Sequence, residues 1–156
     1  MFINRTEELQ TLQNWYDSNE AVLAILYGKR RVGKTELIKQ FIKDKQGVYY
    51  LCDKKNLNDQ AVALAKLIAE QTGNRLFELV EDWYSLAKTL KEEMKDRFIL
   101  AIDEFPYLAE VDKSASSVFQ KMWDEYLKDS NIFLILSGSS ISMMEAETLA
   151  YKAPLY

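Results

Sequence analysis

Four short, nearly continuous apolar runs punctuate this chain: residues 21–27 (AVLAILY), 48–52 (VYYLC), 98–102 (FILAI) and 132–136 (IFLIL). Each has the length of a strand, and unbroken apolar character fits strands covered on both faces better than strands with one wet face. Longer amphipathic stretches lie between them. A strand followed by a helix, repeated, requires a parallel sheet with right-handed crossovers. The expected fold class is therefore α/β, with strands at about 21–27, 48–52, 97–102 and 132–137 in a single domain.

The helical stretches carry their own signals. Leu9, Leu12, Trp15 and Tyr16 share one face, and Asn4 with Glu7 three residues later resembles a capping pair. Leu57, Ala61, Leu64, Ala65 and Ile68 follow helical spacing, with Gly73 as the stop. Trp83, Leu86, Ala87, Leu90 and Met94 repeat the pattern, as do Val118, Phe119, Met122, Trp123, Tyr126 and Leu127. Two helices between the second and third strands form a lateral piece. Trp15, Trp83 and Trp123 are read as core, and Cys52 as a small buried hydrophobe.

Directly after the first strand comes Gly28-Lys29-Arg30-Arg31-Val32-Gly33-Lys34-Thr35, which fits G-x-x-x-x-G-K-[ST], and a helix over 36–43 is expected to follow. Gly28 and Gly33 let the backbone curl so that successive N–H groups point at phosphate oxygens, and the helix adds its positive end. The backbone through Arg31, Val32 and Gly33, with Lys34, Thr35 and Glu36, is the expected nucleotide-binding segment. Lys34 serves the β- and γ-phosphates as a point charge, and the Thr35 hydroxyl takes one Mg²⁺ position. The side chains of Lys29, Arg30 and Arg31 are read as solvated.

The third strand ends in Asp103-Glu104. Two carboxylates at the end of an apolar strand are costly unless positive charge sits beside them, and Mg²⁺ with a nucleoside triphosphate supplies it. Asp103 is assigned to the metal, and Glu104 to orienting or deprotonating the attacking water. An apolar strand ending in Asp-Glu is a motif of the Walker B type. The fourth strand ends in Ser137-Gly138-Ser139-Ser140. Ser137 is assigned a sensor role toward the γ-phosphate, with Ser139 behind it; a flexible turn is the other reading of this segment.

What the chain lacks narrows the chemistry further. It has 156 residues, one cysteine and no histidine, so an internal disulfide, His-based zinc sites and Ser-His or Cys-His nucleophile pairs are all excluded. The net charge of −4 gives no support to direct nucleic-acid binding. No apolar run is long enough to span a bilayer, and a cytoplasmic location is expected. No Asn-Lys-x-Asp guanine-reading motif occurs, so ATP is favoured over GTP.

FINRTEEL, YGKRRVGKTEL, FILAIDEFPYL and LILSGSSISMM together resemble the archaeal-type ATPase family of P-loop NTPases, related to AAA-type and STAND ATPases. The resemblance implies a three-layer domain with strand order 5-1-4-3-2 and Mg-ATP at the carboxyl ends of the first and third strands. It also implies that Asn4-Arg5 and Glu8-Leu9 lie near the adenine, and that the protein works as an ATP-dependent switch or regulator. The expected order for the strands present is 1-4-3-2. The fifth strand and the lid that the family pattern places after Tyr156 are not in this sequence, so the chain is read as the amino-terminal part of an ATPase domain, with weak or absent hydrolysis on its own. A C-terminal domain or a protein partner is the expected recipient of the nucleotide signal. The alternatives are an ATP-binding module without significant turnover and a P-loop phosphotransferase, the latter disfavoured by Glu104.

Overall fold

The computed structural model describes residues 6–27 and 33–138. Gly28, Lys29, Arg30, Arg31, Val32, Ser139, Ser140, Asn4 and Arg5 lie outside the described residues.

Four strands, β1 (Val22–Tyr27), β2 (Gly47–Leu51), β3 (Phe98–Asp103) and β4 (Ile132–Gly138), form one parallel sheet in the order β1-β4-β3-β2. This is the order expected from the sequence. The bounds differ by a residue or so. Arg97 stands just before β3, Asp103 lies on it, and Cys52 follows β2 while its N–H still donates to the Asp103 carbonyl at 2.9 Å.

Helices α1 (Thr6–Asp17) and α2 (Lys34–Ile42) cover one face; α3 (Leu57–Thr72), α4 (Trp83–Glu93) and α6 (Ala115–Glu125) cover the other. A further helix, α5 (Pro106–Val111), which the apolar spacing does not announce, follows β3. Its signal is Pro106 at the first helical position, where the fixed φ is favourable and no N–H is lost.

The ends of α3 and α4 follow from their side chains. The Asn56 side-chain oxygen Oδ1 accepts from the N–H of Asn58 and Asp59, and Gly73 closes α3 at φ 75°, a conformation that costs glycine little. Asp82 and Ser85 form a reciprocal capping box at α4. Helix α1 has no basic residue in its last turn. Arg97 supplies one from the sheet, donating to the carbonyls of Trp15 at 2.9 Å, Tyr16 at 3.2 Å and Glu20.

Strand parity then sorts the sheet into two cores. Leu23, Ile25, Phe98, Leu100, Ile102, Ile132, Leu134 and Leu136 face α3, α4 and α6. Val22, Ala24, Leu26, Ile99, Ala101, Phe133 and Ile135 face α1 and α2. All three tryptophans are packed as expected, with Trp83 fully buried and its indole N–H donating to the Leu57 carbonyl at 2.7 Å. Among the described residues no helix is long and apolar enough to cross a membrane.

Candidate functional site

Continuing the α1/α2 parity to the carboxyl ends of the strands gives the next residues on that face: Asp103 after Ile99 and Ala101, and Ser137 after Phe133 and Ile135. Helix α2 packs against this same face, so its first turn meets Asp103, to which Ser137 is bonded in turn. That convergence is a consequence of register: Ala101 pairs with Ile135 and Ile102 with Leu136.

Gly33 precedes α2 with φ 81° and ψ 18°, left-handed values that a side chain would strain. The chain can therefore turn abruptly from the loop into the helix. Lys34 opens α2 and is only 8% exposed. Its ammonium lies 3.9 Å from Asp103 Oδ1 and 4.0 Å from Glu104 Oε1. Those separations are too long for hydrogen bonds, so the attraction is Coulombic and sets no fixed geometry on the ammonium. Thr35 is half-buried beside it, and the Glu36 side chain is exposed. The N–H groups of this first turn belong to the set that a helix cannot satisfy internally.

Asp103, 1% exposed, is the hub. Its Oδ2 accepts from the Thr35 hydroxyl at 2.8 Å and from the Tyr49 hydroxyl at 2.6 Å. Its Oδ1 accepts from the Ser137 hydroxyl and from the Glu104 N–H at 2.9 Å. Burial alone would push this carboxyl up. The hydrogen bonds from Ser137, Tyr49 and Thr35 and the charge of Lys34 outweigh it and hold the carboxyl below its ordinary value. Ser137 is fully buried with its hydroxyl on Asp103.

Glu104 takes φ 56°, in the left-handed region that non-glycine residues enter at a cost. The surrounding hydrogen bonds impose it. The Asp103 carbonyl is held by Cys52 N–H, the Glu104 N–H is held by Asp103 Oδ1, and the Phe105 N–H donates to the Ser137 carbonyl at 2.8 Å. A strained backbone at the residue assigned to water activation is the kind of outlier that accompanies function.

The donor set fits a hard divalent cation. Thr35 Oγ1 and the Asp103 carboxylate offer two oxygen sites 2.8 Å apart, and Mg²⁺ keeps several waters and binds through few carboxylates together with phosphate oxygens. Among the described residues no group of three or more His, Cys, Asp or Glu could hold a metal by itself. Such a cation would therefore need phosphate oxygens to complete its shell.

Tyr49 is the residue the sequence reading missed. It sits on β2 with its ring against the α2-side core, and burial, then its bond to Asp103, raise its hydroxyl far enough that it stays a neutral donor. Its signal was its parity. In the register that pairs Leu51 with Asp103, Tyr49 lies two residues back on the same face.

A family profile described as an ATPase domain predominantly from Archaea matches residues 2–156. An uncharacterized protein of Methanocaldococcus jannaschii is 37% identical over 156 residues, covering 100% of this chain and 34% of that protein. An uncharacterized ATP-binding protein of the same organism is 56% identical over 46 residues, 30% of this chain and 78% of that protein. Among solved structures, the Walker-type ATPase of Pyrococcus abyssi superposes with a TM-score of 0.64 at 24% identity, covering 93% of this chain and 48% of that one. The chain thus spans about a third of the first relative and about half of the solved structure.

Proposed function

This chain belongs to the family of ATPase domains found predominantly in Archaea, and we infer that it binds Mg-ATP and forms part of a domain that hydrolyses it as a nucleotide-dependent switch or regulator. The observation that carries this reading is the convergence of Lys34, Thr35, Asp103, Glu104 and Ser137 at the carboxyl end of the central strands.

The roles follow from chemistry at each atom. The loop from Gly28 through Arg31, Val32 and Gly33, with the first N–H groups of α2, cradles the phosphates. The Lys34 ammonium leaves its two carboxylate neighbours for the β- and γ-phosphates without breaking a hydrogen bond to either. Thr35 and Asp103 would hold Mg²⁺, which when bound would supply positive charge against the charge developing on the transferred phosphoryl group. Glu104 orients the attacking water and accepts its proton at a carboxylate oxygen. Ser137, bonded to Asp103, takes the sensor role at the strand end. The recipient of the signal is a further domain or a protein partner.

The test is a titration with a fluorescent ATP analogue, with and without Mg²⁺, on the wild type and on Lys34→Ala. We expect micromolar binding, weakened about a hundredfold or more by loss of the charge-assisted phosphate contacts. Equal binding by both proteins would overturn the assignment. Glu104→Gln should keep binding and lose turnover by a factor of about 10² or more. Turnover retained in Glu104→Gln would overturn the role given to Glu104.

A further inference from the structure

Asp103 receives one donor that neither the phosphate-binding segment nor β4 supplies. Tyr49 reaches it from β2, the strand at the flank of the sheet, across the strand rise of two residues, about 6.5 Å. The phenol ends on Oδ2, the same oxygen that accepts from Thr35. Its ring is fixed along its length, packed against the α2-side core with the Lys39 ammonium 5.2 Å from its centroid.

The other donors leave this carboxylate incompletely constrained. Ser137 and the Glu104 N–H both hold Oδ1. Thr35 holds Oδ2, but Thr35 is also the hydroxyl assigned to the cation, so its orientation changes between the free and loaded states. The terminal torsion of an aspartate is broad and sets little by itself. A second donor on Oδ2 that comes from an edge strand and does not touch the cation is the remaining fixed point.

Resting on the Mg-ATP reading above, we propose that Tyr49 is a positioning residue for the metal site, holding the Asp103 carboxylate in one orientation through Oδ2 in both free and loaded states. Tyr49 does not touch the nucleotide in this assignment. Its removal therefore weakens the metal-dependent part of nucleotide binding and spares the part that the phosphate loop and Lys34 supply.

Tyr49→Phe deletes the hydroxyl and keeps the ring and the Lys39 contact. Tyr50→Phe is the control: Tyr50 is on the same strand but the opposite face, with its hydroxyl on Gln60 Oε1 at 3.2 Å. Both variants and the wild-type chain are titrated with a fluorescent ATP analogue in EDTA, then with Mg²⁺ at fixed nucleotide. Mn²⁺ binding to the nucleotide-bound protein is followed by electron paramagnetic resonance. For Tyr49→Phe we expect affinity in EDTA within about twofold of wild type, and a rise of about tenfold in the Mg²⁺ and Mn²⁺ concentrations at half-saturation, the size of one hydrogen bond to a charged group. Tyr50→Phe should leave both quantities unchanged. An unshifted metal half-point in Tyr49→Phe, or an equal shift in Tyr50→Phe, overturns the positioning role while the Mg-ATP reading stands. Wild-type binding that does not depend on metal overturns the Mg-ATP reading, and the Tyr49 role with it.

Discussion

Replacing Asp103 by Asn tests whether its charge stabilises the folded chain or strains it. The amide is nearly isosteric, so the hydrogen bonding around it decides the outcome. The Glu104 N–H, 2.9 Å from Oδ1, can only donate. The Asn oxygen must therefore take the Oδ1 place, with the amide nitrogen facing Thr35 and Tyr49. Those hydroxyls can turn to accept, so no group is orphaned, but the bonds from Thr35, Tyr49 and Ser137 fall from charge-assisted to neutral. At about 1 kcal/mol each this is a loss of about 3 kcal/mol. Relief of the buried charge's desolvation offsets part of it. The carboxyl is held below its ordinary value of 3.8 in the fold, because the hydrogen bonds and the Lys34 charge outweigh the desolvation of the charged form. We expect Asp103→Asn to be less stable at pH 7 by about 1–2 kcal/mol, a fall in Tm of about 2–8 °C for a chain of this size. A carboxyl depressed by folding contributes its full stability above the ordinary value and loses it as the pH falls through the folded value. The two melting curves should therefore be furthest apart above about pH 5 and converge on acidification below 3.8. Thermal melts by circular dichroism between pH 3 and pH 8 are sufficient. An Asn variant as stable as wild type at pH 7, or a gap that widens on acidification, refutes the reasoning.

Two other substitutions probe the backbone around the site. At Glu104, with φ 56°, glycine should be more stable than alanine by about 1 kcal/mol, because only the alanine carries a Cβ into the left-handed region; equal melting temperatures for Glu104→Gly and Glu104→Ala would contradict the strain. At Gly47, an added Cβ would lie 2.7 Å from both Cβ and the carbonyl oxygen of Ile99, so Gly47→Ala should cost about 1–3 kcal/mol in urea unfolding and weaken Mg²⁺-dependent nucleotide binding as β2 shifts from β3.

The elements that were legible are those whose signal is local. The four strands and most of their helices follow from apolar runs and spacing, Gly73 from end chemistry, and Lys34, Thr35 and Asp103 from a motif in its expected setting, whereas the Asn56 and Asp82 caps emerge only in the structure. The strand order came from the family resemblance, since pattern alone does not say which strands are neighbours. What stayed hidden depends on register between distant segments. Tyr49 looks like any strand aromatic until Leu51 is set opposite Asp103. Arg97 looks like a polar residue before a strand until the end of α1 is seen against it, 81 residues earlier in sequence. Gln60, fully buried on α3, was equally silent; it accepts from the Asp53 N–H and donates to the carbonyls of Asp53 and Lys55, shaping the turn after β2. That turn keeps Lys54 and Lys55 exposed, with their ammonium groups 3.8 Å from Glu110 Oε2 and 3.9 Å from Asp53 Oδ2.

Register is also what ties stability to chemistry here. Tyr49, Asp103 and Ser137 come from three strands, and each reaches the α2 side of the sheet only because its parity matches. A slip of one residue in any strand would send its polar side chain into the opposite core and bring Tyr50, Ile102 or Leu136 to the helix instead. Gly47 guards one of these pairings. Its Cα faces Ile99 at the start of β2, where a side chain would force the strands apart, and four residues later the same pairing brings Leu51 level with Asp103. The close approach at the amino end of β2 thus sets how far the Tyr49 hydroxyl stands from the carboxylate near its carboxyl end. A glycine at the amino end of an edge strand therefore bears on the geometry around Asp103, and its replacement should be felt there as well as in the melt.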